Sequence, residues 1–173
     1  MNPGQAAAAA RPAKAMGVLH CFYVYNRHGT CIYYEEWNRQ HHASETRYDD
    51  QMLMFGLVFS MRELTKQMSP SDVTSFNTFN SSVFKVHDFQ TATGLRFILC
   101  TDQQVEDLTK HLLYIYKNIY VEYVAKNPLS VLAVMPPPRK KKAPPTNPMT
   151  QGEITCDLFR TQLNRYLTQM GFL

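Results

Sequence analysis

Glycine is scarce in this 173-residue chain, with seven residues and no two of them close together. No G-x-x-x-x-G-K-[ST] run occurs, so the backbone cradle that holds nucleotide phosphates is missing and the chain is expected to bind no nucleotide by itself. The G-x-S-x-G turn of α/β-hydrolases is missing too. Ser82, His87 and Asp88 supply triad residue types. On one strand, however, His87 and Asp88 would point to opposite faces and could not relay a proton. His41-His42 with Glu45 is the nearest approach to a metal-ligand cluster. No further ligand follows at a zinc-site spacing, so these residues read as a solvated loop. No uncharged apolar run approaches the ~18 residues of a membrane span. The start, Met1-Asn2-Pro3-Gly4-Gln5-Ala6, lacks the basic and apolar regions of a secretory signal.

Cysteine is limited to Cys21, Cys31, Cys100 and Cys156. Three of these lie in apolar strand-like runs, and all four read as small core residues of a reducing compartment. Cys21 and Cys31 flank a turn out of register, with Cys31 expected opposite Val24, which argues against a disulfide between them. Acids are missing from two segments. Of the 18 basic residues, Arg11 and Lys14 lie in the Ala-rich start, and Arg139, Lys140, Lys141 and Lys142 lie among prolines. Without those six the rest carries 12 bases against 14 acids, a net charge near −2. The basic balance belongs to flexible segments rather than to a basic face, which argues against nucleic-acid binding.

What is present is a patterned core. Val18-Leu19-His20-Cys21-Phe22-Tyr23-Val24-Tyr25 is apolar at nearly every position, then Asn26-Arg27-His28-Gly29 offers a turn, and Cys31 to Trp37 is a second run. The pattern predicts a β-hairpin. Its first strand carries Val18, Phe22 and Val24 on one face and Leu19, Cys21, Tyr23 and Tyr25 on the other. A strand apolar on both sides belongs in the middle of a three-layer domain. The outer run, Thr30 to Asn38, is expected at the sheet edge, a surface another chain can use.

A polar loop and a capping signal, Thr46-x-x-Asp49, precede an amphipathic helix. Leu53, Leu57, Met61, Leu64 and Met68 form its expected buried stripe, widened by Met54 and Val58. Ser69-Pro70 ends it. Met52, Met54 and Phe55 cannot all point inward together with Leu53, so this helix is also expected to offer a protein contact. Short strands follow near Phe76 to Asn80, Val83 to Phe89 and Leu95 to Cys100, the last apolar on both faces. Asp102 is expected to cap the next helix, with Val105, Leu108, Leu112, Ile115, Ile119 and Tyr123 buried, and Asn127-Pro128 stops it. Residues 134–152 hold six prolines around the basic run and read as a flexible insertion. Thr150-x-x-Glu153 is a capping box for a last helix with Cys156, Phe159, Leu163, Tyr166 or Leu167, and Met170 on one side. Residues 1–15 read as a disordered Ala-rich extension, and residues 16–173 as one domain.

The order β-β-α-β-β-β-α-α predicts an α+β fold, a five-stranded antiparallel sheet with helices on both faces. This layout, the hairpin ending in Glu35-Glu36-Trp37, the helix Met52 to Met68, and Thr93-Gly94-Leu95-Arg96-Phe97 carry a resemblance. So does the run Tyr120-Val121-Glu122-Tyr123-Val124-Ala125-Lys126-Asn127-Pro128-Leu129, followed by a final helix with Leu158-Phe159-Arg160. With these motifs the chain resembles the sedlin-like, longin-type (profilin-like) subunits of the TRAPP vesicle-tethering complex, and among them the smallest core subunit. The resemblance implies a non-enzymatic scaffold without cofactor or metal. It implies partners in a second longin-type subunit and a palmitoylated-fold subunit. Through the assembled core it implies nucleotide exchange on a Rab-type GTPase in ER-to-Golgi transport. It implies a cytoplasmic location, peripheral to Golgi and endoplasmic reticulum membranes. Partner contacts are expected at Glu36, Trp37, Met52, Met54, Phe55, Tyr120, Lys126 and Asn127. Arg139, Lys140, Lys141 and Lys142 could face anionic lipid, at about 1 kcal/mol each. Two other longin-domain roles compete. A fusion-regulating SNARE domain would need a heptad helix and anchor after Leu173. An adaptor or coat-type small chain would be told apart by the proteins it retains.

Overall fold

The first strand is buried along nearly its whole length, as a central strand must be when both of its faces are apolar. In the computed structural model, which describes residues 17–39, 47–70, 76–128 and 153–173, the element order is that expected. Strands β1 (Leu19–Tyr25) and β2 (Cys31–Glu36) precede helix α1 (Arg47–Met68). Strands β3 (Thr78–Asn80), β4 (Lys85–Gln90) and β5 (Arg96–Thr101) follow. Helix α2 (Thr109–Tyr114) runs on into a π-helical stretch, Ile115–Ala125, and α3 (Asp157–Gln169) comes last. The sheet order is β2-β1-β5-β4-β3, antiparallel at every described pairing. The two strands read as doubly apolar, β1 and β5, are neighbours at its centre.

The hairpin turn is built by Asn26 and Gly29. The Asn26 side-chain oxygen accepts from the backbone N–H groups of His28 at 2.9 Å and Thr30 at 3.0 Å. Gly29 sits at φ 79°, a region that side chains with a Cβ enter only at a cost. A bulge between Val24 and Tyr25 places Cys31 opposite Tyr25 rather than Val24. Cys21 faces Glu36 on that side, so Cys21 and Cys31 are indeed out of register. A second irregularity, between Leu19 and Cys21, turns Leu19 over. It packs with Phe22 and Val24 instead of with Cys21, Tyr23 and Tyr25.

The sheet therefore carries two cores. On one side Leu19, Phe22, Val24, Phe97 and Leu99 meet Leu112, Ile115, Ile119, Tyr120 and Val124, with Phe159, Leu163 and Leu167 from α3. On the other side Cys21, Tyr23, Tyr25, Ile98, Cys100 and Val86 lie under α1, which contributes Val58 with part of Met54 and Phe55. Two capping expectations fail. Helix α2 begins at Thr109 rather than at Asp102, because Asp102 is otherwise engaged. Its carboxylate accepts from Val18 N at 3.3 Å and meets His20 at 3.0 Å, holding the start of β1 to the end of β5. Glu153 does not close a capping box on α3, since the helix starts four residues later behind Cys156. Instead Glu153 lies 3.9 Å from Arg47. The other half of that box, Thr150, and the Thr46 cap of α1 lie outside the described residues, as do residues 1–15 and 134–152 and the Arg139 to Lys142 run. Tyr123 is only partly buried, whereas Tyr120 and Val124 are buried. In the π-helical stretch Lys126 N–H reaches Val121 O, five residues back. Wider turns carry the inward face to residues 115, 119, 120 and 124.

A candidate docking surface on the first helix

Helix α1 is 22 residues long, yet only Gln51 and Val58 are buried on it. It rests on the sheet along Gln51, Met54, Phe55, Val58 and Arg62, spaced as one helical stripe. Tyr25 donates its hydroxyl to the Gln51 carbonyl at 2.8 Å. The Phe55 ring lies 5.3 Å from that of Tyr25, and a Cβ on Gly29 would stand 2.8 Å from it. Only glycine lets the hairpin turn come so close under the helix. Arg39 pairs with Asp50 at 2.7 Å and ties the end of the hairpin to the first turn of α1. Arg62 donates to the Gln90 side chain.

The stripe expected to be buried is a different one. Leu53 is 71% exposed, Leu64 47% and Met68 75%, and Leu57 and Met61 are half-buried. A second exposed flank holds Tyr48, Met52 and Phe59. Gly56 and Ser60 lie between the two flanks, and a Cβ on Gly56 would meet nothing within 4 Å. The outward side of α1 thus carries two apolar ridges, separated by Gly56 and Ser60 together with the polar Asp49, Glu63 and Gln67. Six large apolar side chains exposed on one helix, in two ridges, mark a candidate interaction site.

The expected contact residues divide by position. Met52 is exposed at 51% on α1, beside the half-buried Met54 and Phe55. Trp37 packs against the opposite core and donates its indole N–H to Asn164 at 3.0 Å. Glu36 accepts from the Tyr34 hydroxyl. Edge strand β2 is partly covered by the chain entering α3. Ile154 N–H reaches Ile32 O at 2.7 Å, and Arg160 grips Glu35 at 2.8 Å. The Thr30 to Asn38 edge is accordingly less open than a bare edge. Tyr120 is a core residue, with its ring edge-on to Phe97 and Phe159. Lys126 is exposed and paired with Glu122, and Asn127 reaches the Cys156 sulfur at 3.9 Å. These last three lie on the far side of the sheet from α1. The residues that sequence reasoning missed are Tyr48, Leu53, Phe59, Leu64 and Met68. The available signal was the number of large apolar residues on the helix, more than one stripe against the sheet can bury.

The catalytic candidates stand apart. His87 is fully buried between Thr101 Oγ1, 3.0 Å from its Nε2, and the Leu108 N–H, 3.4 Å from its Nδ1. Burial lowers its pKa to about 4. Asp88 points to the other face, 3.6 Å from Arg96, and burial raises its pKa to about 6 against the opposing pull of Arg96. Ser82 is exposed. The three do not meet. His41, His42 and Glu45 lie outside the described residues. Among the described residues no three His, Cys, Asp or Glu side chains are grouped to hold a metal ion, and no helix is long and apolar enough to cross a membrane.

The "Trafficking protein particle complex subunit 1" of Dictyostelium discoideum is 36% identical over 156 residues, covering 88% of this chain and 96% of that protein. The human protein of the same name is 33% identical over 155 residues, covering 89% and 94%. The "Transport protein particle subunit bet5" of Schizosaccharomyces pombe is 31% identical over 164 residues, covering 88% and 97%. The family model for Sybindin-like proteins matches residues 19–136, which take in all five strands, α1, α2 and the π-helical stretch. With its longin-like sheet and helices and these relatives along almost its whole length, the chain belongs to the Sybindin-like family.

Proposed function

We propose that this chain is a non-catalytic scaffold subunit of a TRAPP-type vesicle-tethering complex. It occupies the place of subunit 1 in a core that exchanges nucleotide on a Rab-type GTPase in ER-to-Golgi transport. The observation that carries this reading is the uncovered apolar surface of α1, in a chain whose relatives bear the names of such a complex. The six large apolar side chains that α1 exposes suit a surface that another protein covers. Each would gain about 1.5 kcal/mol or more on full burial. The occupants of this surface are a second longin-type subunit or a palmitoylated-fold subunit.

No side chain of this chain needs to touch the nucleotide. An exchange factor works by binding the nucleotide-free conformer of the GTPase more tightly than the loaded one. Several subunits shape that surface together. The complex works on the cytoplasmic side, peripheral to Golgi and endoplasmic reticulum membranes. The test is release of a fluorescent nucleotide from the GTPase. The isolated chain leaves the rate unchanged, and a core assembled without it loses most of its activity. Undiminished exchange by that depleted core would refute the role.

A further inference from the structure

Cys21 on β1 and Cys100 on β5 stand directly opposite each other across an antiparallel pair. Both are buried in the cluster under α1, at 5% and 3% exposure, so their side chains share one face. Residues directly opposite on antiparallel strands have Cα atoms about 4.5 to 5.5 Å apart, whichever kind of pair they form. A disulfide requires about 4.4 to 6.8 Å. The other two cysteines have no such neighbour. Cys31 faces Tyr25 and gives its thiol hydrogen to Tyr33 O at 3.2 Å. Cys156 lies against Asn127 on the far side of the sheet.

We infer that Cys21 and Cys100 form a redox-sensitive dithiol that hydrogen peroxide converts to a cross-strand disulfide, which a thiol reductant restores. The Cys21 sulfur attacks the terminal oxygen of the peroxide, the O–O bond breaks and one water leaves, giving a sulfenic acid. The Cys100 sulfur then attacks the Cys21 sulfur, the S–O bond breaks and a second water leaves. Two thiols lose two electrons and two protons, and the peroxide becomes two waters. Cys21 is the better attacking thiol. Hydrogen bonding from Cys100 and Tyr23, helped by the nearby Arg39 charge, lowers its pKa against the effect of burial. Burial pushes the Cys31 thiol up to about 12, which keeps it protonated and slow. Access is the limiting step. The pair is covered by a helix seated through few residues and pinned near its start by the Arg39–Asp50 contact. Local opening of that helix admits the oxidant.

The test oxidises the reduced full-length chain with hydrogen peroxide, blocks remaining thiols under unfolding conditions, and maps peptides without reduction. The expected product is a monomer with two thiols fewer and one linked peptide pair holding Cys21 and Cys100, restored by dithiothreitol. The Cys31→Ser, Cys156→Ser double variant should give the same pair at the same rate, which removes any route through those residues. Oxidation that leaves Cys21 and Cys100 fully alkylatable, or that links either to another cysteine, would overturn the inference. So would over-oxidation of one without a link.

Discussion

The two faces of the sheet are built to different standards. On the α2–α3 face, 19 buried residues interlock, and aromatic rings from sheet and helices meet edge-on at Phe97–Tyr120 and Tyr33–Phe159. On the α1 face, among the described residues, the apolar cluster holds only seven buried residues, and the helix above them leaves most of its own apolar side chains in water. The first face is finished within the chain. The second is finished only when something covers α1. Stability and assembly are thereby assigned to opposite sides of the same five strands.

The sharpest way to break this contrast is to cut into each side and compare. Phe97→Ala on the thick face should cost about 3–5 kcal/mol, enough to unfold much of the population. Urea denaturation followed by circular dichroism reads it. A loss under ~1 kcal/mol would show that this face is no firmer than the other.

The second test uses two neighbours that belong to different faces. Asp88, on the α1 side, has a folded pKa raised from 3.8 to about 6. Its contribution is present below pH 4 and is lost as pH rises through 6. His87, on the α2 side, has a folded pKa lowered from 6.5 to about 4. It acts in reverse, since the unfolded chain binds more protons between pH 4 and 6.5, and stability rises with pH there. The two slopes oppose each other, so the native chain should show little net change from this pair between pH 4 and 6. His87→Asn should uncover the Asp88 slope, a fall of up to about 3 kcal/mol from pH 4 to 6 relative to the parent. Urea midpoints at each pH measure it, and parallel curves for parent and variant would remove the opposition.

Smaller effects sharpen the picture. Gly29→Ala forces a left-handed residue against the Phe55 ring and should cost about 1–2 kcal/mol. It should also raise hydrogen exchange along α1 before any change on α2. Equal acceleration in both helices would mean that the layers do not loosen separately. Arg160→Ala removes an exposed arginine from Glu35 and should cost no more than ~1 kcal/mol in thermal melts.

The sheet was readable because period and burial left one solution for β1 and β5. A strand apolar on both faces needs cover on both faces, whatever the family. The helix ends and the facing of α1 were not readable in that way. Asp102 has the residue type of a cap, but nothing local reveals that Val18 and His20 will come to it from 82 or more residues away. Leu53, Leu57, Met61, Leu64 and Met68 form a more apolar stripe, at equally good helical spacing, than the one that is used. The sheet instead takes Gln51, because Tyr25 needs an acceptor for its buried hydroxyl and finds the Gln51 carbonyl. Met52 was legible as an exposed contact because the helix carries more large apolar residues than one face can bury. Tyr120 has the look of a contact residue in sequence and the surroundings of a core residue in the fold. The π-helical turns that rotate it inward leave no mark in the apolar spacing.

The account turns on whether the outward ridges of α1 bind a partner. The direct measurement is the affinity of a Leu53→Asp, Phe59→Asp double variant for the remaining core subunits, taken beside its melting curve. Because Leu53 is mostly exposed and Phe59 half-exposed beside Phe55, the fold should stay within about 1 kcal/mol of the parent for each substitution. Binding should weaken at least tenfold, about 1.4 kcal/mol or more. A variant that folds as well as the parent and binds its partners equally tightly would contradict the assignment of α1 as the docking surface.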